Sequence, residues 1–291
     1  MSPGARRRRL DAELVRRGLA LTRQEAQAAI VSGMVLVSGA PAIKAARLVA
    51  PDEPVVLTGP PSPFVSRGGL KLDAALSRFG VEVAGRRALD AGASTGGFTD
   101  CLLQRGAGHV YAVDVGHGQL DPSLRADERV TVLERLNVRR LRADDLRAVD
   151  PGFVPCGVVV ADLSFISLRT VLPVLAGDVA APGADLVLLV KPQFEVGRVH
   201  ASRGKGVVRD PGLWLGALKD VASALAAAGT GMMGAMASPV TGAAGNVEFL
   251  VHACKGLPGL GDGEAAAAIA AVVGEAGSQP RAETPPAPAA G

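Results

Sequence analysis

Aromatic side chains are scarce in this chain: one Trp, one Tyr and seven Phe make up 3% of 291 residues. That excludes a base-stacking platform of the RNA-recognition-motif type, which needs several rings on one sheet. Cysteine is nearly as rare. Three residues, Cys101, Cys156 and Cys254, are odd in number and far apart, so neither a disulfide framework nor a zinc spacing fits. The four histidines, at 109, 117, 200 and 252, show no ligand spacing either, and no metal is expected. Long apolar runs are missing too. Gly157–Ala161 and Leu186–Val190 have strand length, far below the roughly 20 residues a spanning helix requires. Arg6–Arg9 are followed by no apolar segment, so no signal peptide is expected. The expectation is a reduced, cytoplasmic chain without structural metal or membrane partner.

What is present is a core. Hydrophobic residues reach 48% and mean hydropathy is +0.27, well outside the range of disordered chains. The length accommodates one large domain plus a small one. Net charge is only +3 but unevenly spread. Residues 1–63 hold nine Lys or Arg against five acids, and the remainder holds 22 against 23. A basic small domain on a near-neutral large one points to a polyanionic partner; a solvated basic face is the other reading of the same charges.

In the small domain, Leu10 and Leu14 lie one helical turn apart, and Gly18 suits a left-handed cap. Thr22 and Glu25 fit a capping box opening a second helix, with Ala26, Ala29 and Ile30 on its apolar face and Gly33 at its end. Met34–Val37 alternates towards a strand, Gly39-Ala40-Pro41 is expected to turn, and Val55–Leu57 supplies a further strand. The segments R-L-D-A-E-L-V-R-R-G-L-A, T-R-Q-E-A and I-V-S-G-M-V-L-V-S-G resemble the small RNA-binding module found in a ribosomal small-subunit protein, pseudouridine synthases and a tyrosyl-tRNA synthetase. The resemblance covers residues 6–58 and implies that Arg8, Arg9, Arg16, Arg17, Arg23 and Lys44 lie along an RNA backbone.

Pro60-Pro61-Ser62-Pro63 reads as a stiff linker, giving boundaries of 1–59 for the small domain, 60–70 for the linker and 71–255 for the large domain. The most informative stretch is A-L-D-A-G-A-S-T-G-G-F-T-D, residues 88–100. An apolar run meets a glycine-rich turn and then a helix, the opening of a doubly wound α/β domain. Ser94 stands where a dinucleotide fingerprint would have its second glycine, and Asp90 comes too early for that motif's distal acid. An acid just before the turn suits a cationic ligand, and S-adenosylmethionine carries an amino group and a sulfonium. Strands are expected near Ala88–Asp90, Val110–Val113, Val130–Leu133, Val158–Ala161, Leu186–Val190, Met232–Ala237 and Val247–His252. Their alternation with helical stretches implies a mainly parallel sheet covered on both faces.

Ligands in such folds bind beyond the carboxyl ends of the strands. Asp114, Asp162 and Lys191 each follow a strand. Asp114 suits two ribose hydroxyls or, alternatively, a helix N-cap. Asp162 and Lys191 would meet at the mouth of the sheet, as a functional pair or as a structural salt bridge. Glu248 interrupts an apolar run, and Lys71 precedes an amphipathic helix carrying Leu72, Ala75, Leu76 and Phe79; periodicity alone marks neither as catalytic.

Lys71, Asp162, Lys191 and Glu248 occur in the order K-D-K-E, which resembles the catalytic tetrad of the FtsJ-like ribose 2′-O-methyltransferases. The segments S-R-G-G-L-K-L, L-D-A-G-A-S-T-G-G-F-T-D, A-D-L-S-F-I-S-L, V-K-P-Q-F-E-V-G, G-V-V-R-D and G-N-V-E-F together look like the TlyA family of rRNA (cytidine-2′-O)-methyltransferases, historically labelled hemolysins. The likeness runs from residue 6 to 255. It implies a Rossmann-like α/β methyltransferase domain with a seven-stranded sheet behind a small α+β RNA-binding domain, S-adenosylmethionine as cofactor and ribosomal RNA as partner. It makes Lys191 the base for a ribose hydroxyl, favoured in its neutral form by the like charge of Lys71 and by partial burial. Asp162 would hold the amine, and Glu248 would orient Lys71 or the ribose. Asp90, Gly92, Ser94, Gly96, Gly97, Phe98 and Thr99 would hold the amino-acid end of the cofactor, Asp114 its ribose, and Asn137 its adenine unless Asn137 is a turn residue. Arg67 and Lys205 would extend the RNA contact, with a plain surface loop as the other reading around Lys205.

Other chemistries fit less well. Exocyclic-amine methylation favours a D/N-P-P-aromatic segment, where Asp162-Leu163-Ser164-Phe165 stands. A cytosine-carbon methyltransferase needs a nucleophilic cysteine; Cys156 lies at the wrong end of its strand, and Cys101 is a packing residue. Two rival functions remain: an RNA-binding ribosome assembly factor without catalysis, and a membrane-active hemolysin, which would need an amphipathic or spanning segment. Residues 256–291, rich in Ala, Gly and Pro, read as a disordered tail with a short helix at Glu264–Val273.

Overall fold

The computed structural model describes residues 7–31, 33–42, 44–58, 63–197, 206–242 and 245–278. The small domain runs β1 (Arg8–Arg9), α1 (Leu10–Arg16), α2 (Arg23–Val31), β2 (Val35–Val37), β3 (Ala40–Pro41), β4 (Leu48–Val49) and β5 (Val55–Leu57). Leu10 and Leu14 of α1 pack with Ala26 and Ile30 of α2 and with Val35 and Val37 of β2. The Glu25 amide donates to Thr22 Oγ1 at 3.1 Å, as a capping box requires, but the Glu25 carboxylate reaches back to the Leu21 amide at 2.8 Å, one residue earlier than expected. The turn also differs from expectation. Ser38 and Gly39 take φ of +51° and +81°, a left-handed pair that matches strand twist. Ala40 and Pro41 therefore pair back against Val37 and Leu36 instead of turning.

The large domain continues with α3 (Arg67–Phe79), β6 (Arg87–Ala91), α4 (Gly97–Gln104), β7 (His109–Val113), α5 (Pro122–Arg125), β8 (Val130–Leu133), α6 (Ala143–Val149), β9 (Cys156–Ala161), α7 (Leu168–Leu175), β10 (Ala180–Val190), α8 (Pro192–Glu195), α9 (Pro211–Ala227), β11 (Thr230–Ala237), β12 (Phe249–Lys255) and α10 (Asp262–Ser278). The seven strands lie in the order β11-β12-β10-β9-β6-β7-β8, with β12 antiparallel to both neighbours and the rest parallel. Two apolar layers flank the sheet. One joins Leu72 and Leu76 of α3 to Leu102 of α4; the other joins Leu172 of α7 to Trp214 and Val221 of α9. Chain order reverses between β6 and β9, which opens a crevice at their carboxyl ends.

Three expectations need correction. Residues 64–70 are not linker: Phe64 is buried, and α3 begins at Arg67. The last strand starts at Phe249 instead of Val247. The reason is Asn246, buried, whose side chain accepts from the Val208 amide at 2.9 Å and donates to the Gly206 carbonyl at 2.9 Å. The third concerns the tail. Its helix spans Asp262–Ser278 and buries Ile269, Val272, Val273 and Ala276 in the core. Alanine-rich composition there favours helix, and the i, i+3, i+4, i+7 spacing gives it an apolar stripe. Each fully buried aliphatic side chain contributes about 1.5–3 kcal/mol. Residues 279–291 lie outside the described residues.

Candidate active site

The crevice holds two adjoining chambers. One, of about 300 Å³, is lined by Lys71, Asp162, Lys191 and Glu248 together with Arg67 and Ser66. The other, of about 510 Å³, is lined by Asp114, Asn137, Gly116, Gln119, Phe165 and Ile166. Gly92, Ser94, Asp162 and Ser164 border both. Four residues from separate segments thus share one wall: Lys71 in α3, Asp162 just past β9, Lys191 just before α8, and Glu248 just before β12.

The charges are arranged as two pairs. Lys71 Nζ donates to Glu248 Oε2 at 2.5 Å, with both side chains at least nine-tenths buried. Gly242 makes room for this pair, because a Cβ there would strike Glu248 Oε1. Lys191 Nζ lies 2.5 Å from Asp162 Oδ1 and donates to Ser164 Oγ at 3.0 Å. Each amine thus faces its own carboxylate, Lys71 that of Glu248 and Lys191 that of Asp162.

The glycine-rich turn is shaped by close approach. Gly92 has φ of +91°, and a Cβ on it would sit 2.5 Å from the Asp162 carbonyl oxygen, so β6 and β9 meet here only without a side chain. At Gly97 a Cβ would press on Ser66 Oγ and lie 2.9 Å from the Gly69 amide. The glycines of S-R-G-G and S-T-G-G thus let the first turns of α3 and α4 touch at the rim of the crevice.

Of the expected cofactor set, Gly92, Ser94, Gly97, Phe98, Asp114 and Asn137 line the crevice, whereas Asp90, Gly96 and Thr99 do not. Asp90 is fully buried below the turn and accepts from Thr99 Oγ1 at 2.7 Å, and its Oδ1 has no partner. Burial pushes its carboxyl up to about 7, with the Thr99 bonds acting the other way. No helix starts at Asp114. Its carboxylate accepts instead from the Ser94 amide at 2.8 Å and the Gly116 amide at 2.6 Å, one bond per oxygen, and each oxygen keeps a lone pair for a ligand. Asn137 Oδ1 accepts from the Arg139 amide at 3.0 Å, capping a short 3₁₀ turn, and the residue lines the larger chamber.

In the small domain the expected RNA-facing cations are organised by two buried acids. Asp11 receives Arg9 at 3.0 Å and Arg23 at 3.1 Å, and Glu13 receives Arg16 at 2.5 Å and Arg17 at 2.8 Å. The bonds from Arg9 hold Asp11 below the usual carboxylate range, and those from Arg16 and Arg17 hold Glu13 down at about 2, burial opposing in both. Arg9, Arg16 and Arg23 stay about half exposed, and Arg8 and Lys44 are exposed. Arg17 differs. Its guanidinium also donates to the carbonyls of Ala50, Pro51 and Glu53, which ties it to the loop before β5. Thr22, Gln24 and Glu25, at the start of α2, close one side of the smaller chamber, and Arg67 lines it. Lys205 lies outside the described residues.

Sequence reasoning missed Ser164 and Phe165. Phe165 is 91% exposed with φ of +65°, an unusual state for an aromatic residue, and it borders the larger chamber. The signal was the polar-then-aromatic pair just past a β-strand. Among the described residues one further cluster has metal-ligand character, Asp185, His252 and Cys254. Its members hydrogen-bond one another, and Asp185 is ion-paired with Arg86 at 2.7 Å; none of them lines either chamber.

Residues 64–255 match the FtsJ-like methyltransferase family and residues 8–55 match the S4 domain. The chain belongs to the FtsJ-like methyltransferase family. Within it, the chain is 52% identical over 249 residues to the 16S/23S rRNA (cytidine-2′-O)-methyltransferase TlyA of Mycobacterium tuberculosis, covering 85% of this chain and 90% of that protein. It is 37% identical over 244 residues to Hemolysin A of Brachyspira hyodysenteriae, covering 84% and 98%. A solved structure from Streptococcus thermophilus, also described as a hemolysin, superposes with a TM-score of 0.74 at 36% identity, covering 94% of this chain and 96% of that one. Among the described residues here, no helix is long and apolar enough to cross a membrane.

Proposed function

We propose that this FtsJ-like methyltransferase transfers a methyl group from S-adenosylmethionine to the 2′-hydroxyl of a cytidine ribose in ribosomal RNA, in the cytoplasm. The observation that carries the reading is the gathering of Lys71, Asp162, Lys191 and Glu248 around one chamber that opens into a second, larger one. The larger chamber suits the cofactor: Asp114 offers two carboxylate oxygens for ribose hydroxyls, and Gly92 and Ser94 border the chamber. The activity of the M. tuberculosis relative supports the choice of substrate.

Bound there, S-adenosylmethionine supplies a methyl group already activated on a sulfonium. The protein supplies position and a proton acceptor. Lys191 Nζ, set 2.5 Å from Asp162 Oδ1 and donating to Ser164 Oγ, is the group placed to take the proton of an incoming hydroxyl. Such a base contributes roughly 10²–10⁴-fold, and holding the reactants in line contributes as much as about 7–11 kcal/mol. Glu248 fixes Lys71 in the wall of the smaller chamber. The exposed Phe165 ring offers a stacking face to a base that leaves its helix, and the S4 domain holds the flanking RNA through Arg8, Arg9, Arg16, Arg23 and Lys44.

The test is incubation with tritiated S-adenosylmethionine and separate 30S and 50S subunits, followed by mapping of label in the rRNA. Label at a cytidine whose 3′ linkage resists alkali supports the reading and names the substrate. Cofactor binding without label on either subunit rejects ribosomal RNA as the acceptor. Label on a base, or at a linkage that alkali cleaves, rejects ribose chemistry.

A further inference from the structure

The two segments that bring Asp162 and Lys191 together are joined a second time, at their far ends, by a residue that no role described so far requires. Asp162 opens the loop between β9 and α7; Lys191 opens the step between β10 and α8. Glu195 ends α8, is only 4% exposed and lines neither chamber. Its Oε1 accepts from the Leu168 amide at 2.8 Å and its Oε2 from Ser167 Oγ at 2.5 Å. Ser167 stands at the N-cap of α7 but makes no capping bond of its own; the distant glutamate takes that place. Arg169 adds a bond from Nη2 to the Glu195 carbonyl at 3.0 Å and lies 3.4 Å from Oε2. The rings of Phe165 and Phe194 meet at 5.3 Å between the two segments.

We propose that Glu195 is a positioning residue for methyl transfer: it fastens the Asp162 loop to the Lys191 step and so fixes the carboxylate–amine pair and the presented Phe165 ring. The inference rests on the proposed function and deepens it. The Asp162 loop has a reason to need a fastener. Phe165 sits in the left-handed region, which a non-glycine residue keeps only if its surroundings hold it. A buried carboxylate that accepts two hydrogen bonds across the gap between loops meets that need, and a hydrophobic residue of similar size would not. Asp162 and Lys191 touch at one end of the paired segments, and Glu195 closes the other, so the four-residue α8 cannot slide relative to the loop.

The experiment compares wild type with Glu195→Ala, Glu195→Gln and Ser167→Ala, using whole ribosomal subunits as acceptor. Rates are normalised to the fraction of protein that binds cofactor, so that misfolded molecules do not count. Glutamine still accepts the Leu168 N–H and bridges to Ser167, so Glu195→Gln is expected within about threefold of wild-type kcat. Glu195→Ala is expected to lose at least about 30-fold in normalised kcat, with KM for the subunit and Kd for S-adenosylmethionine each within about threefold, because a 1 Å misplacement costs on the order of 10²-fold. Ser167→Ala, which removes one of the two bonds, should fall between them. Normalised kcat unchanged in both alanine variants overturns the inference while wild-type activity leaves the proposed function standing. Absence of ribose methylation by wild type removes the proposed function itself. If Glu195→Ala binds no cofactor at all, Ser167→Ala decides: wild-type kcat there contradicts a positioning role.

Discussion

The S4 domain and the catalytic crevice both pair buried acids with cations, and they do so in opposite senses. In the S4 domain Asp11 and Glu13 are inside while Arg9, Arg16 and Arg23 reach outwards, about half exposed. In the crevice the amines of Lys71 and Lys191 are largely withdrawn from solvent along with their carboxylates. The first arrangement displays positive charge in fixed positions, as phosphate binding requires. The second withholds its charges from water. Residue type matches what each place demands. Guanidinium, always charged and planar, stands at the surface, and amine in the crevice.

The comparison breaks most sharply at Asp162. Asp162→Asn should lower single-turnover methyl transfer by about 10²-fold or more, the scale of a misplaced general base, with S-adenosylmethionine affinity little changed by titration calorimetry. The triple variant Arg9→Ala, Arg16→Ala, Arg23→Ala should do the converse. It should weaken subunit binding by tens of fold and reduce the salt slope of log K by up to about one unit per lost phosphate contact, with kcat at saturating RNA near wild type; a large fall in kcat there would merge the two roles that the comparison separates.

Smaller effects concern pH. Burial raises Asp90 to about 7, so its contribution to stability is fully present below the unfolded value near 3.8 and is lost as pH rises through about 7. Asp90→Asn mimics the neutral acid. Thermal unfolding should therefore show variant and wild type alike in acid, with the variant melting higher above pH 7. Glu13 runs the other way: held at about 2 by Arg16 and Arg17, it stabilises above its unfolded value near 4.5 and that contribution is lost as pH falls through about 2. Glu13→Gln should melt lower than wild type at neutral pH, and the gap should close as the solution approaches pH 2.

Much of this was legible beforehand. Apolar runs and the glycine-rich turn marked the strands of the sheet, because a parallel core strand buried on both faces reads as a near-continuous apolar run. The four residues of the crevice were visible only through family resemblance, since Lys71 and Glu248 have no local signature: their meaning comes from being 177 positions apart in the chain and 2.5 Å apart in space. Asp11 and Glu13 entered only the count of charges, and no periodicity says that a carboxylate will be buried under arginines. The tail helix was anticipated only in part, at Glu264–Val273, and its packing into the core was not. Alanine and glycine suggested disorder, yet Ile269, Val272 and Val273 form a stripe that the sheet layer accepts. Glu195 was equally hidden, because its partners belong to the neighbouring loop.

The central claim is that Lys191 takes the proton of the ribose hydroxyl while the S4 arginines only hold the RNA. The direct measurement is the single-turnover rate of ribose methylation by Lys191→Ala at saturating S-adenosylmethionine and saturating subunit, read as 2′-O-methylcytidine after complete digestion to nucleosides. The account predicts a loss of about 10²–10⁴-fold with both binding affinities retained; a rate within a few fold of wild type would contradict it and assign the proton to another group.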